Sequence, residues 1–281
     1  MAGVLMPIPP FAVPRFSARR FEGLFAWWDF SDEATVTLDS GRIAAVRDKS
    51  GNGWNPANTA SGSTQPTYTI GGQSGLNVAS FAAASSQRLQ VPSSTSAFKF
   101  LHDGTPCWWI LAGSYGASDN PNAEYVQFAT NGAGLGAGSY YFFDDSSANG
   151  GNNGINMGVA NDTGLVCGAY SASGYLASTK NIITPQTATI QEMSMDVGNA
   201  TAANRAILRI NGGAGITFNT YSGAPTSVAS QTNFTIGALF NGSFALEGEL
   251  YEMRFFSRQP SPAECDYHRR DMGAKWGIAV A

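Results

Sequence analysis

Short hydrophobic runs, separated by clusters of Gly, Asn, Asp, Ser and Pro, follow one another along the chain from Leu24 onward. Short strands with turn-forming residues between them are typical of antiparallel sandwiches and barrels. The runs that predict strands are 24–30, 87–91, 107–112, 124–128, 139–143, 190–197, 205–210, 234–239 and 244–256. The run 107–112 is continuously apolar, which predicts a strand buried on both faces.

Turn signals and alternation support the same prediction. The run 190–197 alternates, with Met193, Met195 and Val197 predicted on one face and polar side chains on the other. Asn211-Gly212 is a strong hairpin signal, and the segment 48–53 is a dense turn signal. The segments 131–138 and 144–156 are rich in Gly or Asn, and we expect them to be outward-facing loops.

One helix is predicted, near the C-terminus. Ser261 suits the N-cap, Pro262 the first helical position, and Glu264 completes a capping box. Gly277 is suited to the left-handed residue that ends a helix. Between them, one stripe at helical spacing is formed by Cys265, His268, Met272 and Trp276. We therefore expect a short amphipathic helix that docks on the sandwich.

Residues 1–21 are predicted to form an extended arm, because prolines at positions 7, 9, 10 and 14 exclude a helix interior or a central strand. Such an arm could pack on a partner or fold back on its own domain. The side chains expected to serve as assembly contacts are two aromatic anchors and three cations, namely Phe11, Arg15, Phe16, Arg19 and Arg20.

Composition narrows the possible partners. Charged residues make up 13% of the chain and the net charge is −4, so we expect no nucleic-acid partner. No apolar run approaches the ~20 residues of a membrane span. The N-terminus lacks the basic region of a signal peptide, so synthesis in the cytoplasm without membrane insertion is expected. Three widely spaced cysteines predict buried free thiols.

Several segments together resemble the concanavalin A-like, laminin G-like jelly-roll superfamily, particularly its phage virion type. The segments are 27–32, 46–53, 208–212, 248–258 and the helix end 274–277. The resemblance covers residues 22–281 and implies an all-β, two-sheet antiparallel jelly roll. The superfamily includes lectins, glucanases, adhesion modules and virion proteins, so the resemblance leaves the function open.

Catalytic chemistry is not expected. Glucanases of this superfamily place acidic residues at alternating positions on one strand. Here Glu192 and Asp196 are predicted to share a strand face, but Ser194 stands between them. The series Glu247, Glu249 and Glu252 does not keep one parity along a regular strand. We therefore expect these acids to form a solvated face and predict that the protein is not an enzyme.

The remaining polar candidates lie in loops and on the helix. His268 is expected to pack on the helix stripe, and His102 is expected to be a structural or an exposed turn residue. No cofactor is expected, although calcium could be held by loop oxygens. The candidate glycan-facing residues are an aromatic and a set of acidic and amide side chains, Tyr140, Asp144, Asp145, Asn149, Asn152 and Asn153.

Adjacent aromatic pairs at 27–28, 108–109 and 140–141 are predicted to place one ring in the core and one outward. An outward ring could stack on a sugar, pack beneath a loop or meet another subunit.

These observations leave three functional hypotheses. The first is a non-enzymatic phage virion structural protein, expected to be a capsid decoration or other protein at the virion surface. Its arm and one sandwich face would dock on virion proteins and sister subunits in a homo-oligomer, and its loops could hold host glycans. The alternatives are a carbohydrate-binding adhesin, such as a tail-fibre module, and a glycoside hydrolase of glucanase type.

Overall fold

The computed structural model describes residues 22–58, 60, 62–116, 124–129, 154–160, 165–170, 176–177, 182–217, 225, 227–230, 232–242 and 244–281. No helix in this part of the chain is both long and apolar enough to cross a membrane. The predicted arm of residues 1–21, the strand 139–143 and the loop 131–138 lie outside the described residues. The division into arm and domain therefore stays a prediction.

Strands dominate the described residues, and their bounds are as follows: β1 Leu24–Asp29, β2 Val36–Asp39, β3 Arg42–Val46, β4 Thr67–Thr69, β5 Val78–Phe81, β6 Leu89–Gln90, β7 Cys107–Tyr115, β8 Glu124–Ala129, β9 Gly154–Ala160, β10 Leu165–Tyr170, β11 Leu176–Ala177, β12 Thr189–Met195, β13 Ala206–Ile210, β14 Ile216–Thr217, β15 Thr235–Ile236 and β16 Gly248–Phe256. The α-helix is α1, Pro262–Trp276. Short 3₁₀ turns occupy Glu33–Thr35, Gln73–Gly75, Ala83–Ser85, Ala97–Leu101 and Ala202–Asn204.

These strands form two antiparallel sheets. The larger sheet has the order β14-β13-β12-β7-β16-β5-β4-β3-β2, and β1 pairs with β16 beside this path. The smaller sheet has the order β11-β10-β9-β8-β15-β6. The two-sheet antiparallel sandwich predicted from the sequence is confirmed.

The main hydrophobic core lies between the two sheets. It combines Trp109 and Met253 of the larger sheet with Met157 and Ile236 of the smaller one. All four side chains are fully buried. Burial of this apolar surface is the main driving force for joining the two sheets.

A second core lies on the outer face of the larger sheet, where α1 packs. Trp108, Ile110 and Ile190 of the sheet contact Met272 and Trp276 of the helix. The helix has the predicted capping box and ends at Gly277, whose φ is 65°. The predicted stripe of Cys265, His268, Met272 and Trp276 is buried, as expected.

The structure both confirms and corrects the strand predictions. The strand 107–112 is buried on both faces, as predicted, because α1 covers its outer side. Asn211 and Gly212 both have positive φ, as the predicted hairpin turn requires. The segments 87–91 and 234–239 contribute only two residues each to strands. Positions 154–156, predicted as loop, belong to β9. The rest of β9 and the strands β2 to β5, β10, β11 and β14 were not predicted.

Asp48 organises the turn that joins β3 to the next segment. Its carboxylate accepts hydrogen bonds from the backbone N–H groups of Trp27 and Trp54 at 2.9 and 3.1 Å. It also accepts from the N–H and hydroxyl of Ser50. Asn52 then donates to the carbonyls of Leu24 and Phe25 on β1. The turn therefore ties β1 to the hairpin of β2 and β3.

We expect Asp48→Ala to lower the free energy of unfolding by about 3 kcal/mol, since it leaves several buried N–H groups without an acceptor. The exposed Asp39, which accepts a hydrogen bond from the neighbouring Ser40, supplies the control Asp39→Ala. Urea denaturation of both variants measures the difference. Equal losses in the two variants would contradict this role of Asp48.

Candidate functional site

A β-bulge interrupts β16 at Tyr251. On one side, β16 pairs with β7 along its length, and the register shifts between Leu250 and Glu252. On the other side, residues Gly248 to Leu250 pair with β5, whereas Glu252 to Phe256 pair with β1. The extra residue therefore lies where β16 changes partners, and such bulges commonly re-aim the side chains that follow.

The bulge places three glutamates on the outer face of the sheet. Glu249 pairs with Ser114 and Glu252 with Ala112, two positions apart on β7. Glu247 precedes Glu249 by two residues and lies opposite Gly116. In a regular strand, Glu249 and Glu252 would point to opposite faces of the sheet, as expected from the sequence. In β16 they share a face, because Tyr251 is an additional residue between them.

Glu252 lies beneath α1 and is fully buried. Its carboxylate accepts hydrogen bonds from Arg254 and Lys275 at 2.8 Å each, and from the indole N–H of Trp27 at 2.7 Å. Burial alone would raise the pKa of Glu252, but Arg254 and Lys275 outweigh it and hold the pKa well below its usual value. Glu252 is thus a fixed carboxylate that attaches the helix to the sheet.

Two further groups extend this ion network. Lys275 also binds Asp29 of β1 at 2.6 Å, and Lys49 binds the other oxygen of Asp29 at 2.8 Å. Arg254 donates to Asp271 and to Nδ1 of His268. Burial, reinforced by the charge of Arg254, lowers the pKa of His268 to about 3. His268 is therefore neutral and structural, as predicted.

The outward rings of two predicted aromatic pairs are covered by the protein itself. Trp108 lies in the second core beneath α1, while its neighbour Trp109 lies in the main core. Trp27 packs against the second core, with Lys49 and Arg254 over its ring, while Trp28 lies in the main core. Neither pair presents a bare aromatic platform, and the pair 140–141 lies outside the described residues.

Beyond the last turn of α1, the outer face of the sheet carries a line of polar side chains that we call the polar row. It crosses neighbouring strands and consists of Thr69, Ser80, Glu249, Ser114 and the hydroxyl of Tyr251. The Oγ1 of Thr69 and the Oγ of Ser80 are 2.6 Å apart, and Ser80 donates to Glu249 at 3.3 Å. Strand pairing aligns Ser80, Glu249 and Ser114 side by side.

Tyr251 joins the polar row to the helix. Its hydroxyl hydrogen-bonds with Ser114 and Glu249, and burial raises its pKa to about 12. Its ring stacks on Trp276 at 5.1 Å between centroids. The Glu249, Ser80 and Ser114 side chains are half-buried. The row thus combines fixed hydroxyls and a carboxylate, and four of its five members, all except Tyr251, reach solvent.

The acids considered for a glucanase motif on β12 do not form one. Glu192 is buried and pairs with Arg269 of α1 at 2.6 Å. Asp196 lies past the end of β12, where its carboxylate accepts a hydrogen bond from Asn199 at 2.8 Å. The expected solvated face is therefore wrong for Glu192 and for Glu252, because the helix supplies cations that compensate their charges.

The other predicted site residues are not brought together in the described part of the chain. The assembly residues of the arm (Phe11, Arg15, Phe16, Arg19 and Arg20) and the glycan-facing residues (Tyr140, Asp144, Asp145, Asn149, Asn152 and Asn153) lie outside it. Within it, no group of three or more His, Cys, Asp or Glu side chains could hold a metal ion. Cys107 and Cys265 are buried and are not part of a disulfide, as predicted.

Comparison with known proteins concerns the fold. No protein-family model and no curated protein matches the chain. A solved arabinofuranosidase complexed with arabinofuranosyl-alpha-1,2-xylobiose has a TM-score of 0.51 and 13% identity, with 91% of this chain and 60% of that chain covered. At this identity the likeness shows a shared fold and nothing more.

Two further solved structures superpose less closely. The Trypanosoma rangeli sialidase gives a TM-score of 0.43 at 11% identity, over 92% of this chain and 34% of that chain. The CBM40 of the Ruminococcus gnavus IT-sialidase, bound to alpha2,3 sialyllactose, gives 0.39 at 11% identity, over 60% of this chain and 83% of that chain. At these identities the likenesses concern the fold alone, and none points to a virion protein.

The ion network predicts a large effect of Glu252→Gln. The change leaves Arg254 and Lys275 beside a neutral amide in a buried site, so the free energy of unfolding should fall by about 3–5 kcal/mol. The exposed Glu33, which accepts a hydrogen bond from Asn77, supplies the control Glu33→Gln. Chemical denaturation at pH 7 measures both variants. A loss no larger than that of the control would contradict the role given to Glu252.

The low pKa of His268 predicts a pH dependence of stability. Between pH 6.5 and about 3 the unfolded chain binds a proton at this residue and the folded protein does not. Stability should therefore fall as the pH falls through this range, by up to about 1.4 kcal/mol per pH unit.

The variant His268→Asn keeps an acceptor for Arg254 but cannot titrate. Its free energy of unfolding, measured from pH 7 to pH 4.5, should decline less steeply than that of the unmodified protein. The buried His102, whose pKa is also lowered by burial, contributes equally to both proteins. Parallel pH profiles would show that His268 is not the titrating group.

Proposed function

We propose that this protein is a non-catalytic carbohydrate-binding module and that the polar row is its binding surface. The observation that carries the proposal is the arrangement of Ser80, Glu249 and Ser114 on three adjacent strands. Sugar hydroxyls need donors and acceptors at fixed positions, and a sheet supplies rigid ones. Adjacent strands are about 4.8 Å apart, which suits contacts with successive hydroxyls of one ring.

The chemistry of the row fits a sugar better than an apolar ligand. An ionised carboxylate accepts several hydrogen bonds, and each hydroxyl both donates and accepts. The position of Glu249 near the end of α1 also matters, because the helix covers the neighbouring part of the outer face around Trp108 and Ile110. The sandwich fold shared with the arabinofuranosidase structure is compatible with this role, although fold alone does not establish it.

Hydrolysis is the second candidate function, and one observation favours it. Glu247 and Glu249 are two residues apart, about 7 Å along an extended backbone, and glycosidases use a pair of carboxyl groups on either side of the scissile bond. The proton donor of a glycosidase is commonly kept protonated by burial in apolar surroundings. Both glutamates are only half-buried, and Glu247 accepts a hydrogen bond from the N–H of Ala83 at 2.8 Å. We therefore favour binding.

The virion role expected from the sequence finds no support in the comparisons. The arm residues that would carry assembly lie outside the described part of the chain. Docking on virion proteins, oligomerisation and location at a virion surface therefore stay predictions.

A glycan array followed by titration calorimetry tests the proposal. We expect the unmodified protein to bind at least one sugar class with a Kd in the millimolar range or tighter. The double variant Ser80→Ala/Ser114→Ala should bind at least tenfold more weakly, because two hydroxyl partners are lost. Thr37→Ala, an exposed hydroxyl on the edge strand β2, is the matched control and should bind normally.

Two outcomes would contradict the proposal. The first is no binding to any glycan, and the second is binding that the double variant leaves unchanged. Measuring released reducing ends from each bound oligosaccharide addresses the second candidate. Turnover that is abolished by both Glu247→Gln and Glu249→Gln would show that the protein is a hydrolase instead.

A further inference from the structure

We propose that the polar row selects sugars without an acidic group and rejects anionic sugars such as sialic and uronic acids. This inference rests on the proposed carbohydrate-binding function and specifies its ligand class. It is argued from the charges around Glu249 and from the positions of two nearby cations.

Unlike Glu252, Asp29 and Glu192, the side chains of Glu249 and Glu247 have no cationic partner in any ion pair of the described residues. Glu252, Asp29 and Glu192 each form ion pairs with lysine or arginine side chains. Glu249 is instead bonded to the hydroxyls of Ser80 and Tyr251. Two adjacent carboxylates therefore leave this part of the sheet negatively charged.

Two cations near the polar row in the described part of the chain are already engaged. Lys275, in the last turn of α1, binds Asp29 and Glu252. Arg42 aligns with the polar row through its pairing with Thr67, but it lies three strands from Glu249, or about 14 Å, and donates to the carbonyl of Gln65. Neither guanidinium nor ammonium is placed to receive the carboxylate of a bound acidic sugar.

The C-terminal end of α1 adds partial negative charge beside the polar row. Trp276 is the last helical residue and stacks on Tyr251, so the C-terminus of the helix lies beside the polar row. The carbonyl ends of a helix carry partial negative charge, which disfavours anions nearby. Gln73 and Ser74 donate to the Trp276 carbonyl and Lys275 offsets part of this charge, so the glutamates remain the main source of repulsion.

The same carboxylate favours a neutral ligand. An ionised glutamate is an acceptor only, and its two oxygens can receive hydrogen bonds from two vicinal hydroxyls. The hydroxyls of Ser80 and Ser114 flank Glu249 and supply further donors and acceptors. A neutral sugar with a vicinal diol satisfies these groups, whereas an added carboxylate would meet like charge at close range.

The test uses matched pairs of oligosaccharides that differ by one acidic sugar. The pairs are lactose with 3′-sialyllactose, and xylotetraose with its glucuronic-acid-substituted form. Titration calorimetry of the full chain at 50 mM NaCl should show the neutral member of a pair binding at least tenfold more tightly. At 0.5 M NaCl the difference in affinity between the two members should decrease, because exposed charges are screened.

The variant Glu249→Gln separates charge from shape. It should weaken binding of the neutral sugar and reduce the discrimination between the two members to less than about threefold. Glu22→Gln removes the same charge from an exposed position at the start of the described chain and should leave the discrimination unchanged. Ser80→Ala should weaken the binding of both members and keep the ratio of their affinities, because it removes a hydroxyl of the polar row but no charge.

Three results would overturn the inference, and they are distinguishable. Equal or tighter binding of the acidic member would refute the selectivity while leaving the carbohydrate-binding function in place. Discrimination that survives in Glu249→Gln would assign it to other residues. No binding to either member of either pair, with a blank glycan array, would refute the proposed function itself.

Discussion

The attachment of α1 to the larger sheet depends on charge compensation around Glu252. A buried carboxylate is costly unless cations and hydrogen-bond donors surround it. Here Arg254 comes from the same strand and Lys275 from the helix, and Trp27 adds an indole N–H. Because these partners come from three elements, the carboxylate fixes the helix at one position along β16. That position determines which part of the sheet face is covered and which stays open.

The bulge at Tyr251 divides the same strand by function. Residues after it contribute Glu252 and Arg254 to the covered half, and residues before it contribute Glu249 to the polar row. Equivalent glutamates thus have opposite environments within a few residues. One is neutralised and inaccessible, and the other is half-exposed and bonded only to hydroxyls. The contrast distinguishes two carboxylates on one face of the strand: Glu252 is held in the ion network, whereas Glu249 stays half-exposed.

Local patterns predicted much of the fold. The capping box at Ser261 and the Asn211-Gly212 hairpin were recognised because their signals lie within a few adjacent residues. The strands β2 to β5 were missed because their runs are short and only partly apolar, and their stability comes from neighbours distant in sequence. The placement of Glu249 and Glu252 on one face could not be predicted, because it depends on the bulge. The bulge is defined by how β16 pairs with β7, a strand distant in sequence. The burial of Glu192 could not be predicted either, because the cation that compensates its charge, Arg269, lies on a helix and is 77 residues away in sequence.

The position of β16 in the sheet has a consequence for how the protein is made. This strand lies between β7 and β5 and pairs with β1, so that Leu24 meets Phe256. Every other strand leaves the ribosome before β16 does, and the centre of the larger sheet stays unfilled until then. Contacts so distant in sequence slow folding. Until β16 is available, the edges of β5 and β7 that it pairs with stay uncovered in the nascent chain. The need for chaperones should therefore be greatest just before this strand is synthesised.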